Sequence, residues 1–165
     1  MNDTDKEKKN RKTAIETAYA YLAARMRTSA EVRKHLEGKG YSRDEINDAV
    51  NELIGMRYLD DYLFALRYYE YNREKRRGSG RAAGELAEKG VDPETIRNAR
   101  EDFLYSEKVD EYEDALAVAL KELELKPGTD EKAMARIGRK LDGRGFARGD
   151  IFRVLEELRR RSGEE

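Results

Sequence analysis

One eleven-residue phrase recurs three times: "LEGKGYSRDEI" at 36–46, "LAEKGVDPETI" at 86–96 and "LDGRGFARGDI" at 141–151. Each copy has a leucine four residues before a glycine, a basic residue directly before that glycine and an apolar residue directly after it. A glycine at a helix end adopts the left-handed conformation of a Schellman cap, and that cap brings the leucine and the apolar residue into contact. The phrase therefore predicts three equivalent helix ends in a chain of tandem repeats.

Residues typical of helix N-termini lie on either side of these turns. Residues 28–31 and 42–45 both have the spacing of a capping box, in which a hydroxyl and a glutamate close the first helical turn. Asp92 before Pro93 supplies an N-cap and a proline at the first helical position. The third copy, at 147–150, lacks a clean cap. Each turn is thus predicted to join two helices.

Each repeat also has a predicted first helix. The first runs from residue 14 to Met26, with Met26 on its apolar face. The second is capped by Asp60 or Asp61 and runs through Arg77, and the third spans 111–123. Thr129 or Asp130 caps the helix that follows the third. Because no segment alternates polar and apolar residues, no sheet is expected.

Tyrosines crowd the first helix of the second repeat. Helical spacing places Phe64, Ala65, Tyr68 and Tyr71 on one stripe, which predicts that they face the core, and places Tyr69 off it. Packing is the favoured role of these rings, and an exposed tyrosine patch for a partner is the alternative.

The resulting fold class is all-α, with three tandem three-helix units in an elongated, curved array. Charged residues make up 42% of the chain against 38% apolar ones, and this mixture suits thin helical units better than one large core. The predicted division is an N-terminal solvated or disordered tail at 1–13, then helical repeats at 14–59, 60–110 and 111–161.

The residue types for most kinds of catalysis are missing. The chain has no cysteine and a single histidine, His35, for which alignment with Glu85 and Lys140 of the other repeats predicts a solvent-facing position. The glycine-rich segment 78–84 follows a basic helix rather than a strand, so it is expected to be a flexible turn and not a phosphate loop. We therefore expect no enzyme activity, cofactor, metal or small-molecule substrate. No apolar run is long enough for a membrane span, and a cytoplasmic location is expected.

The repeats also resemble the RecX family of recombination regulators. The resemblance covers roughly residues 14–160. The residues that carry it are Arg25, Arg27-Thr28-Ser29, Glu31, Leu36, Lys39-Gly40, Tyr58-Leu59-Asp60-Asp61, Phe64-Ala65, Arg73, Gly78, Gly80, Glu85-Leu86, Lys89-Gly90-Val91, Arg144-Gly145-Phe146 and Ile151. It implies three tandem three-helix units that bind the RecA recombinase, lodge in the groove of its DNA filament and restrain its recombination and co-protease activities. It also implies that the protein has no active site and no cofactor.

The function expected from this resemblance is regulation of homologous recombination and DNA repair through RecA and its filament, with inhibition as the expected direction. Weak binding of single- or double-stranded DNA is left open. Two basic segments are the expected partner-binding residues, because phosphate or an acidic protein surface would attract them. They comprise Arg73, Lys75, Arg76, Arg77 and Arg81, and Arg136, Arg139, Arg144 and Arg148.

The alternative function is a tandem helix-turn-helix protein that binds DNA directly. The second and third helices of each repeat, joined by the glycine turn, have that layout. The third helix would then be the reading helix. In the first repeat its exposed positions include Asp44, Asp48 and Glu52, which phosphate would repel. A uniform base-reading role for the three repeats is therefore disfavoured.

Overall fold

A computed structural model describes residues 11–163, and every regular element in that range is an α-helix. The helices are α1 (Ala14–Leu22), α2 (Ser29–Gly38), α3 (Arg43–Gly55), α4 (Asp61–Glu74), α5 (Ser79–Glu88), α6 (Pro93–Ser106), α7 (Glu111–Leu125), α8 (Glu131–Gly143) and α9 (Arg148–Gly163). The predicted all-α class is confirmed. Of the predicted N-terminal tail, residues 1–10 lie outside the described range, and Thr13 is already the N-cap of α1. No helix in 11–163 combines the length and apolar character that crossing a bilayer requires.

The three glycine turns have the predicted geometry. Gly40, Gly90 and Gly145 have φ angles of 78°, 79° and 82°, in the left-handed region. In the first turn, Tyr41 N donates to Leu36 O at 3.2 Å, the bond that defines a Schellman cap. Phe146 N makes the same 3.2 Å bond to Leu141 O in the third. The predicted capping boxes at 28–31 and 42–45 and the Asp92 cap are present as well.

A second set of helix ends uses basic residues where glycine would be usual. Arg57, Arg76 and Lys108 have φ angles of 58°, 54° and 47° and close α3, α4 and α6. Arg77 N donates to Asn72 O at 3.0 Å across the Arg76 turn. The prediction that this helix runs through Arg77 is therefore wrong, because α4 ends at Glu74. No glycine occupies the left-handed position at these ends, so a search for glycine stops does not find them.

The described chain divides into two compact units, and each is treated separately. The first comprises residues 11–64 with 89–91, and its core is formed mainly by α1, α2 and α3. Ala18, Val32, Leu36, Val50 and Leu53 are fully buried there. The predicted first helix is too long, since α1 ends at Leu22 and Met26 is 49% exposed. Thr28 must be extended to cap α2, so the chain leaves the helical path before Met26.

His35 also differs from the expectation of a solvent-facing side chain. Its ring is half-buried on α2 and stacks on Tyr21, with 3.9 Å between the ring centroids. Burial is the main cause that lowers the pKa of His35, followed by the nearby charges of Lys39 and Arg27. The imidazole ring of His35 therefore contributes to the packing of the first unit.

The second unit comprises residues 65–88 with 92–163. Its largest core cluster is formed by α7, α8 and α9 and the turn between the last two, and includes Ala115, Met134, Ile137, Leu141 and Val154. The three repeats at 14–59, 60–110 and 111–161 remain a prediction, because the two units follow compactness and not the sequence period.

The predicted tyrosine stripe of α4 is wrong at two positions. Tyr69 is 1% exposed, stacks on Phe103 and donates from its hydroxyl to Ile96 O at 3.1 Å. Tyr71, assigned to the core, is 47% exposed. The buried face continues from Tyr69 to Asn72, which is 1% exposed. A polar residue on the buried face hid the true helical phase from the hydrophobic pattern.

Candidate functional site

In the first unit, the N-terminus of α2 is held by residues that lie far along the chain. Ser29 N donates to Asp61 Oδ1 at 2.8 Å, and Thr28 Oγ1 donates to Lys89 O at 2.8 Å. A Cβ on Gly90 would lie 2.4 Å from Ala30 Cβ, so only glycine fits against this helix. We call this set of residues, 28–31 with 61 and 89–90, the first junction.

In the second unit, the N-terminus of α5 is held in the same way. Ser79 N donates to Glu111 Oε1 at 2.6 Å, and Ser79 Oγ donates to Glu111 Oε2 at 2.7 Å. Gly78 N donates to Arg144 O at 2.9 Å. We call this set of residues, 78–81 with 111 and 143–145, the second junction.

The second junction brings two glycine turns into backbone contact. A Cβ on Gly145 would lie 2.4 Å from both the Cβ and the backbone nitrogen of Arg81. A Cβ on Gly78 would lie 2.3 Å from Gly145 O, and one on Gly80 would lie 2.8 Å from the same oxygen. The segment 78–84 is thus not the flexible turn that its composition suggested. Gly78 and Gly80 are required by close packing, whereas a Cβ on Gly84 would meet nothing within 4 Å.

The two junctions correspond residue by residue at the repeat spacing. Ser79 stands 50 positions after Ser29, and Glu111 stands 50 positions after Asp61. The glycines at 90 and 145 are the second and third copies of the repeated turn. Sequence reasoning considered Asp61 only as a cap of its own helix and did not pair Ser29 with Asp61 or Ser79 with Glu111. Extending the alignment beyond the glycine phrase would have revealed them as a repeated pair.

The side chains of four of the nine predicted partner-binding residues make hydrogen bonds or ion pairs within the second unit. Arg144 donates from Nη1 to Lys75 O at 3.1 Å and to Arg76 O at 2.9 Å, where α4 ends. Arg81 donates to Gly143 O at 3.1 Å and to Glu85 at 2.9 Å. Basic charge at this point therefore satisfies carbonyls that α4 and α8 leave unpaired.

The other two of these four arginines, Arg73 and Arg136, are paired with acids of α7. Arg73 donates from Nε to Asp114 at 3.0 Å, and Arg136 Nε lies 3.3 Å from Glu122. Glu122 also accepts a hydrogen bond from Lys140, which is the main cause that lowers the pKa of this carboxyl. Acids of α7 thus neutralise part of both predicted basic segments, Asp114 at Arg73 and Glu122 at Arg136.

The remaining five predicted residues leave their charges more accessible. Arg139 and Arg148 are exposed and have no ion pair within the described part of the chain. Arg76 is exposed at its left-handed position, and Arg77 follows it half-buried. The Lys75 ammonium lies 5.5 Å from the centroid of the Tyr71 ring. Lys75 and Arg76 are brought next to Arg144 by the bonds to their carbonyls.

Residues 11–163 contain no group of three or more His, Cys, Asp or Glu side chains arranged to hold a metal ion. The polar clusters at the two junctions join helix termini to one another. Their geometry is that of structural hydrogen bonds, and the accessible chemistry is positive charge beside exposed aromatic rings.

Comparison with known proteins gives consistent results. Residues 14–53 match a family model described as the first three-helix domain of RecX. A regulatory protein RecX of Mycobacterium sp. (strain KMS) is 30% identical over 148 residues, which cover 85% of this chain and 80% of that protein. The regulatory protein RecX of Bacillus licheniformis is 34% identical over 148 residues, or 88% of this chain and 55% of that protein. The chain thus spans about half the length of several of the curated relatives that it matches.

The fold has a counterpart among solved structures. The crystal structure of RecX from Lactobacillus salivarius superposes with a TM-score of 0.76 at 24% identity, covering 88% of this chain and 94% of that one. At this level of identity the likeness concerns the fold.

Proposed function

Because the chain belongs to the RecX family, we propose that it is a regulator of homologous recombination and DNA repair that acts on the RecA recombinase. It binds RecA and the RecA–DNA filament and modulates, in the inhibitory direction, the ATPase, strand-exchange and co-protease activities of the filament. The observation that carries this proposal is the match to a protein named regulatory protein RecX over 148 residues and 80% of that protein's length.

The accessible basic residues are the proposed contact surface of this activity. Arg139 and Arg148 extend from α8 and α9, and Lys75, Arg76 and Arg77 follow the end of α4. Such residues suit a polar, reversible interface with a charged filament. Arg73, Arg81, Arg136 and Arg144 contribute to the same positive surface, but their main role in the proposal is to hold that surface in shape.

Direct base reading by the third helix of each repeat has less support. The exposed face of α3 carries Asp44, Asp48 and Glu52, which a phosphate backbone would repel. In α6, Arg100 is engaged within the protein, since Nε donates to Ser79 Oγ at 2.7 Å. Binding to a protein filament accommodates this mixture of charges, because proteins present both signs.

The test compares three targets across a salt series: single-stranded DNA, RecA alone and RecA-coated single-stranded DNA. Fluorescence anisotropy of the labelled protein measures binding, and RecA ATPase and strand exchange measure the effect. We expect salt-sensitive, weak binding to bare DNA, tighter binding to the filament and a slower ATPase. Equal affinity for bare and coated DNA, with no change in RecA activity, would instead support the helix-turn-helix alternative.

A further inference from the structure

The first repeated turn, at Gly40, differs from its two counterparts in what it contacts. At Gly90 and Gly145 an added Cβ would lie 2.4 Å from a residue at the start of a helix. At Gly40 the nearest described atom to such a Cβ is the Arg11 Nη2 nitrogen, at 3.6 Å. Among the described residues, then, Gly40 itself faces the end of one flexible side chain, where Gly90 and Gly145 face a helix.

The carbonyl oxygen of the residue before each glycine shows the same difference between the first turn and the other two. Lys89 O and Arg144 O each accept a hydrogen bond from the residue that precedes a docked helix, namely Thr28 and Gly78. The equivalent carbonyl, Lys39 O, accepts from the Arg11 guanidinium, which also lies 4.2 Å from the Tyr41 ring centroid. A helix C-terminus carries partial negative charge and a helix N-terminus partial positive charge, so the two ends attract. Arg11 supplies that positive charge at the first turn.

A groove of about 900 Å³ opens at this turn and is lined by Gly40, Tyr41, Ser42 and the residues around them. One helical turn, about 5.4 Å long and 10–12 Å across, occupies roughly 500 Å³. The volume of the groove therefore exceeds that of one helical turn.

The charge of the groove indicates what kind of helix fits. Glu45, Asp48 and Glu52 line the groove together with the basic residues Arg11 and Lys12. These carboxylates favour the N-terminus of a helix, because that end carries partial positive charge. The docked helices begin with a serine and a small residue, which allows the glycine turn to approach closely.

We propose that the Gly40 turn is a docking face for the N-terminus of an α-helix on the protein partner. That helix carries small residues in its first turn, and its docking displaces Arg11 from Lys39 O. This rests on the proposed function, which supplies a protein filament as the partner. The face repeats, between molecules, the contact that the two junctions make within the chain.

Gly40→Asn tests this face directly. Asparagine tolerates a left-handed backbone, so the turn is kept while a side chain fills the groove. Gly38→Asn is the matched control, because an added Cβ at Gly38 meets nothing within 4 Å. Binding to RecA-coated single-stranded DNA is measured by anisotropy, with circular dichroism to verify the fold. We expect Gly40→Asn to weaken filament binding about tenfold and Gly38→Asn to change it by less than about twofold.

A charge-reversed pair tests the acidic side of the groove. Asp48→Lys is expected to weaken filament binding by about fivefold or more, while Asp44→Lys, on the same helix but outside the groove, has a smaller effect. If wild-type protein binds the filament and Gly40→Asn binds equally well, the docking proposal is overturned and the proposed function stands. If wild-type protein does not bind RecA or its filament, both are overturned.

The same variants distinguish a partner helix from two other occupants of the Gly40 face. Concentration-dependent self-association that Gly40→Asn abolishes would assign the face to a second copy of this chain. Tighter filament binding after removal of residues 1–10, reproduced by Gly40→Asn in the full chain, would assign the face to the protein's own N-terminal segment. Either result overturns the proposal of a partner helix.

Discussion

Glu111 accepts two hydrogen bonds from Ser79, one from the backbone nitrogen at 2.6 Å and one from the hydroxyl at 2.7 Å. The backbone nitrogen is one of the N–H groups that the start of α5 leaves without a partner inside the helix. Gly78, which precedes α5, has no side chain to cap it. Glu111, at the first position of α7, therefore performs from another helix the role that an N-cap residue performs locally.

Glu111→Ala is expected to lower the free energy of unfolding by about 1–3 kcal/mol, because it leaves the buried Ser79 without its acceptor. Chemical denaturation followed by circular dichroism measures the change. Glu113→Ala is the matched control, since Glu113 is exposed in the same helical turn. Equal losses in the two variants would contradict the capping role of Glu111.

Gly145→Ala is expected to destabilise the protein by roughly 2–4 kcal/mol. Position 145 has a left-handed backbone with φ 82°, which disfavours a residue with a Cβ. The added methyl group would also lie 2.4 Å from Arg81. Gly143→Ala, at the end of α8, meets nothing within 4 Å and is expected to be neutral or to stabilise by up to about 1 kcal/mol. Thermal unfolding of the two variants gives the comparison, and a stable Gly145→Ala protein would show that the close packing of the second junction is wrong.

Tyr68 and Glu85 make the stability of the second unit depend on pH. The Tyr68 hydroxyl lies 2.7 Å from Glu85 Oε2, and this hydrogen bond is the main cause that lowers the pKa of Glu85. A lowered carboxyl pKa contributes stability that is present above the unfolded-state pKa and is lost as pH falls through the folded-state pKa. Tyr68→Phe is therefore expected to raise the pKa of Glu85 toward its ordinary value, as measured by NMR titration, and to remove part of the acid-dependent stability.

The same pair has a second transition in alkali. Burial is the main cause that raises the pKa of Tyr68 to about 12. Because the neutral phenol is favoured in the folded protein, its contribution is present below the ordinary tyrosine pKa and is lost as pH rises from about 10 to 12. Tyr71→Phe is the control, since Tyr71 is 47% exposed. An unchanged Glu85 titration in Tyr68→Phe, or an equal change in Tyr71→Phe, would refute the coupling.

The basic residues are expected to separate into two classes on mutation. Arg139→Glu with Arg148→Glu should weaken binding to the RecA filament about tenfold without lowering the melting temperature, because neither side chain has an ion pair in residues 11–163. Arg144→Ala should instead lower the free energy of unfolding by about 1–3 kcal/mol, since it removes the donor for Lys75 O and Arg76 O.

Anisotropy and thermal unfolding of both proteins separate the two classes. A destabilised Arg139→Glu, Arg148→Glu protein, or a fully stable Arg144→Ala protein, would show that the classes are assigned wrongly.

Much of the fold was accessible from the sequence because the determining interactions are local. The leucine and the apolar residue around Gly40 are five positions apart, and the hydrogen bond that closes the cap joins those same residues. The capping boxes at 28–31 and 42–45 each lie within four residues. Such contacts form wherever the right residues occur at the right spacing.

The candidate site was less accessible, because its residues meet across long stretches of chain. Arg73 was expected to face a partner, and Asp114, 41 positions away, pairs with it. The helical phase of α4 was also missed, since buried Asn72 interrupts the apolar pattern that would have revealed Tyr69. Hydrophobic periodicity reports burial only where every buried residue is apolar.

The sequence by itself determined where helices end in a left-handed glycine, where several of them begin, and that the chain is helical throughout its described part. Only the tertiary structure decided which arginines keep an accessible charge, which acid caps a distant helix, and which of Tyr69 and Tyr71 is buried. The physical reason is range: a cap is completed by neighbours a few residues away, whereas a salt bridge or a buried face depends on which helix packs opposite.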